Sequence, residues 1–160
     1  MKGAGMVIHE EDAARIHEVL SHFLRESGAA EVLLIDRGGQ LLAMDGINRP
    51  LDTVSISALA AGAYSSTSAM AQLLGETQFT VLFHEGIKQS IHVSTVDEGA
   101  ILMAIFDERT TVGMVRLFAK ETSKRIGVVL AETRARPKRG AEFVAPLSSE
   151  ESGPTWEPLR

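Results

Sequence analysis

Ser90, His92 and Asp97 lie within one short stretch and supply the groups of a hydrolytic triad: a hydroxyl nucleophile, an imidazole base and a carboxylate to orient it. Nothing around Ser90 forms the sharp strand-to-helix elbow that such a nucleophile needs. Alternation along SIHVSTV (90–96) accounts for these residues more simply. Ile91, Val93 and Thr95 share one strand face, and His92 and Ser94 share the other, which reads as wet. Asp107 and Glu108, next to Arg109, could form an acid–base pair. Anions at the start of a helix are the ordinary reading of the same residues.

The remaining chemistry is sparse. His9, His17, His22, His84 and His92 include no pair at i, i+4, so no helical metal pair of the HExxH kind is offered. His84-Glu85 precedes Gly86 and reads as a strand end. There is no cysteine, hence no thiol nucleophile, thiolate metal site or disulfide framework. No G-x-x-x-x-G-K-[ST] phosphate loop is present. Gly38-Gly39 lies between two strands and does not open a helix, so it is no dinucleotide fingerprint. The sequence predicts a protein that is not an enzyme, with no cofactor and no metal.

The elements that would position these groups include one of unusual composition. From Thr53 to Gly75 there is no Asp, Glu, Lys or Arg. Asp52 can cap the first turn, and Gly75 stands where a left-handed stop belongs. Ile56, Leu59, Ala63, Met70, Leu73 and Leu74 form the apolar stripe expected to face the core. Ala58, Ala61, Ser65, Ser68, Ala69 and Gln72 form a small, neutral face that another backbone could approach, and this face reads as a partner surface. Five serines, two threonines and a glutamine argue against a membrane span, as does the lack of basic flanks or aromatic belts. A helix buried wholly in its own domain is the competing reading.

Around this helix the order is α-β-β-α-β-β-β-α. Ile16, Val19, Leu20, Phe23 and Leu24 recur at helical spacing within 10–27, and Gly28 ends the run. EVLLID (31–36) and QLLAMDG (40–46) flank the glycine pair as a hairpin. QFTVLFHE (78–85), SIHVSTV (90–96) and the continuously apolar AILMAIF (100–106) read as three more strands. A last helix, capped by Thr110 or Thr111, carries the stripe Val115, Phe118, Thr122, Ile126, Val129, Leu130 opposite Arg116, Lys120, Lys124 and Arg125. The fold class is an α+β sandwich with a five-stranded antiparallel sheet. The neutral helix covers one face and the terminal helices the other.

The chain divides into an N-terminal extension (1–9), one domain (10–133) and a flexible Pro-rich tail (134–160). Four of the five prolines fall from Pro137 on, and the only tryptophan, Trp156, sits among them. It reads either as a docking anchor or as part of a tail that folds back on its own domain. The formal net charge is −5, and residues 1–133 carry −6, a poor match to nucleic acid. The start MKGAGMVIHEED has no apolar core of a signal peptide, so a cytoplasmic location is expected.

LLIDRGGQLLAMDG (33–46), LDTVSISALAAGAYSSTSAMAQLLGE (51–76), FHEG (83–86) and IFDERTTVGMVRL (105–117) occur in this order, and over residues 10–133 the chain resembles the roadblock / dynein-light-chain family, most of all its bacterial MglB-type branch. The resemblance implies a five-stranded antiparallel sheet between one helix and two. It also implies a homodimer made through a sheet edge and helix 52–75, with the paired helices forming a platform for a Ras-like small GTPase. That branch activates the GTPase MglA in cell polarity and gliding, supplies no arginine finger and rearranges the switch region of the GTPase instead. Carried onto this sequence, the platform is Ala58, Ala61, Ser65, Ser68, Ala69 and Gln72, with Tyr64 the one large side chain nearby. A scaffold that holds a GTPase without accelerating hydrolysis is the alternative implied by the wider family. A ligand-sensing domain of similar shape is a third reading, and it would require a pocket.

Overall fold

The computed structural model describes residues 6–136 except Glu98. The Pro-rich tail from Pro137 on, with Trp156, and the first five residues of the N-terminal extension lie outside the described residues. Three acidic residues, Glu10, Glu11 and Asp12, occupy the first turn of α1 (Glu10–Ser27), where they complement the helix dipole. Gly28 (φ 74°) closes this helix in the left-handed conformation, its N–H donating to the Leu24 carbonyl. A hairpin follows, β1 (Glu31–Asp36) and β2 (Leu41–Asp45). Asp52 caps α2 (Thr53–Leu73), accepting the Ser55 N–H at 3.0 Å. Then come β3 (Val81–His84), β4 (Ser90–Asp97) and β5 (Ala100–Phe106). Thr111 caps α3 (Val112–Ala135) by accepting the Met114 N–H.

All strand pairs are antiparallel, and the sheet order is β2-β1-β5-β4-β3. β5 lies at the centre and is buried along its whole length, as a strand covered on both faces must be. Its alternate residues feed two cores. Ala100, Leu102, Ala104 and Phe106, with Val32 and Leu34, pack under α1 and α3. Ile101, Met103 and Ile105, with Leu33, Ile35 and Val93, pack under α2. The five-stranded antiparallel sheet between one helix and two is the expected architecture. The expected third strand is shorter than 78–85, its ladder beginning at Val81.

α1 and α3 are tied at their ends. Asp12, fully buried in the first turn of α1, accepts Thr133 Oγ1 at 2.8 Å and Arg136 Nη1 at 3.0 Å. Arg15 reaches Glu132 at 2.6 Å on the surface above them.

β4 corrects one expectation. His92 and Ser94 do not face water; they are buried beneath α3, Ser94 Oγ lying 3.4 Å from Ser123 Oγ. The small residues Ala119 and Ser123 let α3 come down onto this part of the sheet. Neither His92 ring nitrogen has a hydrogen-bond partner. Burial, with Arg116 nearby, holds the His92 pKa below its ordinary 6.5. The unfolded chain therefore takes up this proton where the folded chain refuses it, and stability falls as pH drops through that value. We expect the thermal midpoint to decline between about pH 7.5 and about pH 5.5, and His92→Leu to flatten that decline. Thermal melts across this range check the slope.

Candidate partner-binding surface

The residues with conventional chemistry do not assemble. Ser90 and Asp97 occupy opposite ends of β4, a separation of roughly 23 Å at strand rise. Ser90 Oγ accepts the Gly86 N–H, and Asp97 is taken up by Arg134 at 3.0 Å and by the Gly99 N–H at 2.8 Å. His84 and Glu85 are exposed at the outer sheet edge. Asp107 is held by Arg109, through its side chain at 2.9 Å and its backbone N–H at 3.0 Å, and these contacts keep its pKa below the usual carboxylate range. Among the described residues no three His, Asp or Glu side chains converge as a metal site.

α2 is the element that stands out. The face it turns to the sheet is built from small residues: Ser57, Ala60, Ala61 and Ala71 are buried, with Tyr64 the one large side chain among them. Tyr64 crosses the interface to place its hydroxyl 2.7 Å from Thr95 Oγ1, and the Arg37 guanidinium lies 5.8 Å above its ring. Ala61 and Tyr64 therefore belong to the inner face and not to an outward platform. The physical reason is space. Leu33, Ile35, Met103 and Ile105 already fill the sheet face, so the helix approaches with small side chains and one flat ring.

The outward face carries what the size of the side chains had assigned to the core. Leu59, Met70, Leu73 and Leu74 are exposed, at 73%, 51%, 88% and 74%, and Ala63 is exposed with them. Ile56 is half-buried. Of the expected platform residues, Ala58, Ser65, Ala69 and Gln72 are exposed and Ser68 is half-buried. Ala58 lies against the β1–β2 turn, where a β-carbon on Gly39 would sit 3.0 Å from its Cα. The result is a two-turn-and-more surface with large apolar groups at both ends, small neutral ones between and no charge along it. Contiguous exposed apolar surface of this kind marks an interaction site. The signal available in the sequence was the run Ser57, Ala60, Ala61, Tyr64, Thr67, Ala71, which keeps helical spacing as well as the larger residues do.

One sheet edge adds to it. β3 is short and outermost, with Val81 and Phe83 partly exposed, and its outer edge pairs with no other strand among the described residues. Such an edge is a template for another strand. Among the described residues no helix is long and apolar enough to cross a membrane.

Comparison with known proteins agrees with this geometry. The profile of the Roadblock/LC7 domain matches residues 15–106. The chain belongs to the Roadblock/LC7 family, as a roadblock-type regulator. Its fold is similar to MglB of Myxococcus xanthus, with 34% identity and a TM-score of 0.71 over 74% of this chain and 96% of that one. The gliding protein MglB of Thermus thermophilus shares 34% identity, with a TM-score of 0.77, over 81% of this chain and 98% of the other. A third structure, of MglB with a tetrameric arrangement, shares 32% identity with a TM-score of 0.78, covering 82% and 98% respectively. Among the curated proteins none matches the chain.

Proposed function

We propose that this chain is a homodimeric, cytoplasmic activator of an MglA-type Ras-like GTPase, acting in cell polarity and gliding. The observation that carries the reading is the uncharged outward face of α2, in a Roadblock/LC7 domain about one-third identical to MglB proteins. In the dimer, β3 pairs with its counterpart along the free edge and the two α2 helices lie side by side as one platform. The platform contributes no catalytic side chain of its own. It binds best to the switch conformation that positions the GTPase's own groups around the γ-phosphate, and so shifts the population toward it. The gain is one of positioning.

The test is GTP turnover by an MglA-type GTPase with and without this protein at micromolar concentration. Acceleration supports the proposal. Co-elution of the two proteins without acceleration would instead make the chain a scaffold of the same architecture.

A further inference from the structure

On the side of the sheet opposite α2, the outer surface of α3 is both apolar and basic. Leu117 and Val128 are 62% and 57% exposed. They lie eleven residues apart, on one crest of the helix, with Lys124 and Glu121 between them and Lys120 beside them. Arg116, Lys120, Lys124 and Arg125 are all exposed, and none has an ion-pair partner among the described residues. Arg25, Arg37 and Lys88 likewise have none, whereas Arg15, Arg49, Arg109, Arg134 and Arg136 each meet a carboxylate. A chain of net charge −5 thus carries a positive strip of Arg116, Lys120 and Lys124 along one flank of the exposed leucine and valine, while Glu121, also exposed, separates Arg125 from it on the other flank.

The complementary segment is in the same chain. Residues 140–159 contain Glu142, Glu150, Glu151 and Glu157 and no Lys or Arg, and they carry Phe143, Leu147 and Trp156. The exit point is fixed, because Arg136 at the end of α3 is held by Asp12 at 3.0 Å. Leu117 lies roughly 30 Å back along the helix at its rise per residue. Trp156, twenty residues beyond Arg136, can reach about 65 Å if extended. A chain that turns back after Arg136 therefore has ample length to lie along α3. We propose that residues 140–159 dock in cis on the outer face of α3, with glutamates on the lysine strip and Trp156 against its exposed apolar crest. This docking is independent of GTPase binding, which uses the other side of the sheet.

Trp156 is the only tryptophan, so the full-length chain reports on it directly. The reference is a synthetic peptide of residues 137–160. In the intact protein Trp156 is expected to emit to the blue of the peptide and to be shielded from acrylamide, equally at all protein concentrations. Lys120→Glu combined with Lys124→Glu is expected to lower the docking constant about tenfold and move emission toward that of the peptide. Should the charge-reversed protein fail to fold, raising salt on the unmodified chain to about 1 M NaCl must give the same shift, since the screening length falls to about 3 Å. Emission and quenching equal to those of the free peptide overturn the proposal. Shielding that ignores both charge reversal and salt overturns it too, because the tail then docks elsewhere. Shielding that is lost on dilution would assign the strip to the tail of a second copy and overturn docking in cis.

Discussion

Ser65→Arg combined with Ala69→Arg is expected to abolish binding of an MglA-type GTPase, and any acceleration of its hydrolysis, while leaving a folded protein. Both side chains are exposed on α2 and lie one turn apart, away from the Ser57, Ala60, Ala61 and Tyr64 face that meets the sheet. Arginine is a good helix former, so the helix itself is not weakened. The loss comes from the partner side. In the proposed complex two cations would be placed where the GTPase meets an uncharged surface, without a carboxylate on this helix to receive them. Burying an unpaired charge at an interface costs about 3–5 kcal/mol, which corresponds to at least a hundredfold weaker binding. Titration calorimetry measures the affinity, and light scattering on the same sample shows whether the dimer persists. Retained affinity would move the binding site off α2.

Gly46→Ala is the second large effect, and it falls on stability. Gly46 follows β2 with φ 80°, a conformation that costs a residue with a side chain. A β-carbon there would lie 2.2 Å from the Ala30 carbonyl oxygen and 2.9 Å from Leu24 Cδ1. Neither obstacle can withdraw easily. Ala30 is held through its own N–H to the Ile105 carbonyl at 3.0 Å, and Asp45, the neighbour of Gly46, is held by Ser21 at 2.5 Å. Strain and overlap together are expected to cost about 3 kcal/mol or more, a drop of roughly 10–15 °C in thermal midpoint. Gly62→Ala makes the opposite case with the same chemical change. Nothing lies within 4 Å of its would-be β-carbon in the middle of α2. Removing a helical glycine there is expected to stabilise by about 1 kcal/mol. Parallel thermal melts of the two variants check both signs, and a Gly46→Ala protein as stable as its parent would show that the turn can rearrange.

The order of elements was legible because each carries its own punctuation. α1 ends at Gly28, β5 is AILMAIF, and α2 starts at the Asp52 cap, all as the residues indicated. The facing of α2 was not legible from size alone. A rule that sends the largest apolar side chains inward assumes that the opposite surface has room. The sheet under α2 is already filled by leucine, isoleucine and methionine, so alanine and serine go inward and Leu59, Met70 and Leu73 go out. His92 was misread for a related reason. Its strand alternates polar and apolar residues, as a wet face would, but the cover comes from a helix thirty residues later whose small Ala119 and Ser123 permit the approach. Of the residues expected on the neutral face, Ser65, Ala69, Gln72 and Ala58 are exposed, whereas Ala61 and Tyr64 are buried against the sheet.

The inner face of α2 has a further consequence for the order in which the molecule comes apart. α1 and α3 close their side of the sheet with long aliphatic side chains and with Asp12 gripping both Thr133 and Arg136. α2 closes the other side with alanines, a serine and a single tyrosine peg. The two layers are therefore unequal in cohesion. α2 is expected to lift away first in native-state fluctuations, and hydrogen exchange is expected to show its amide protons lost through local excursions while those of β1 and β5 are lost only when the whole domain opens. A partner seated on α2 would clamp the most easily opened layer of the protein, and slowed amide exchange in that helix would be the imprint it leaves.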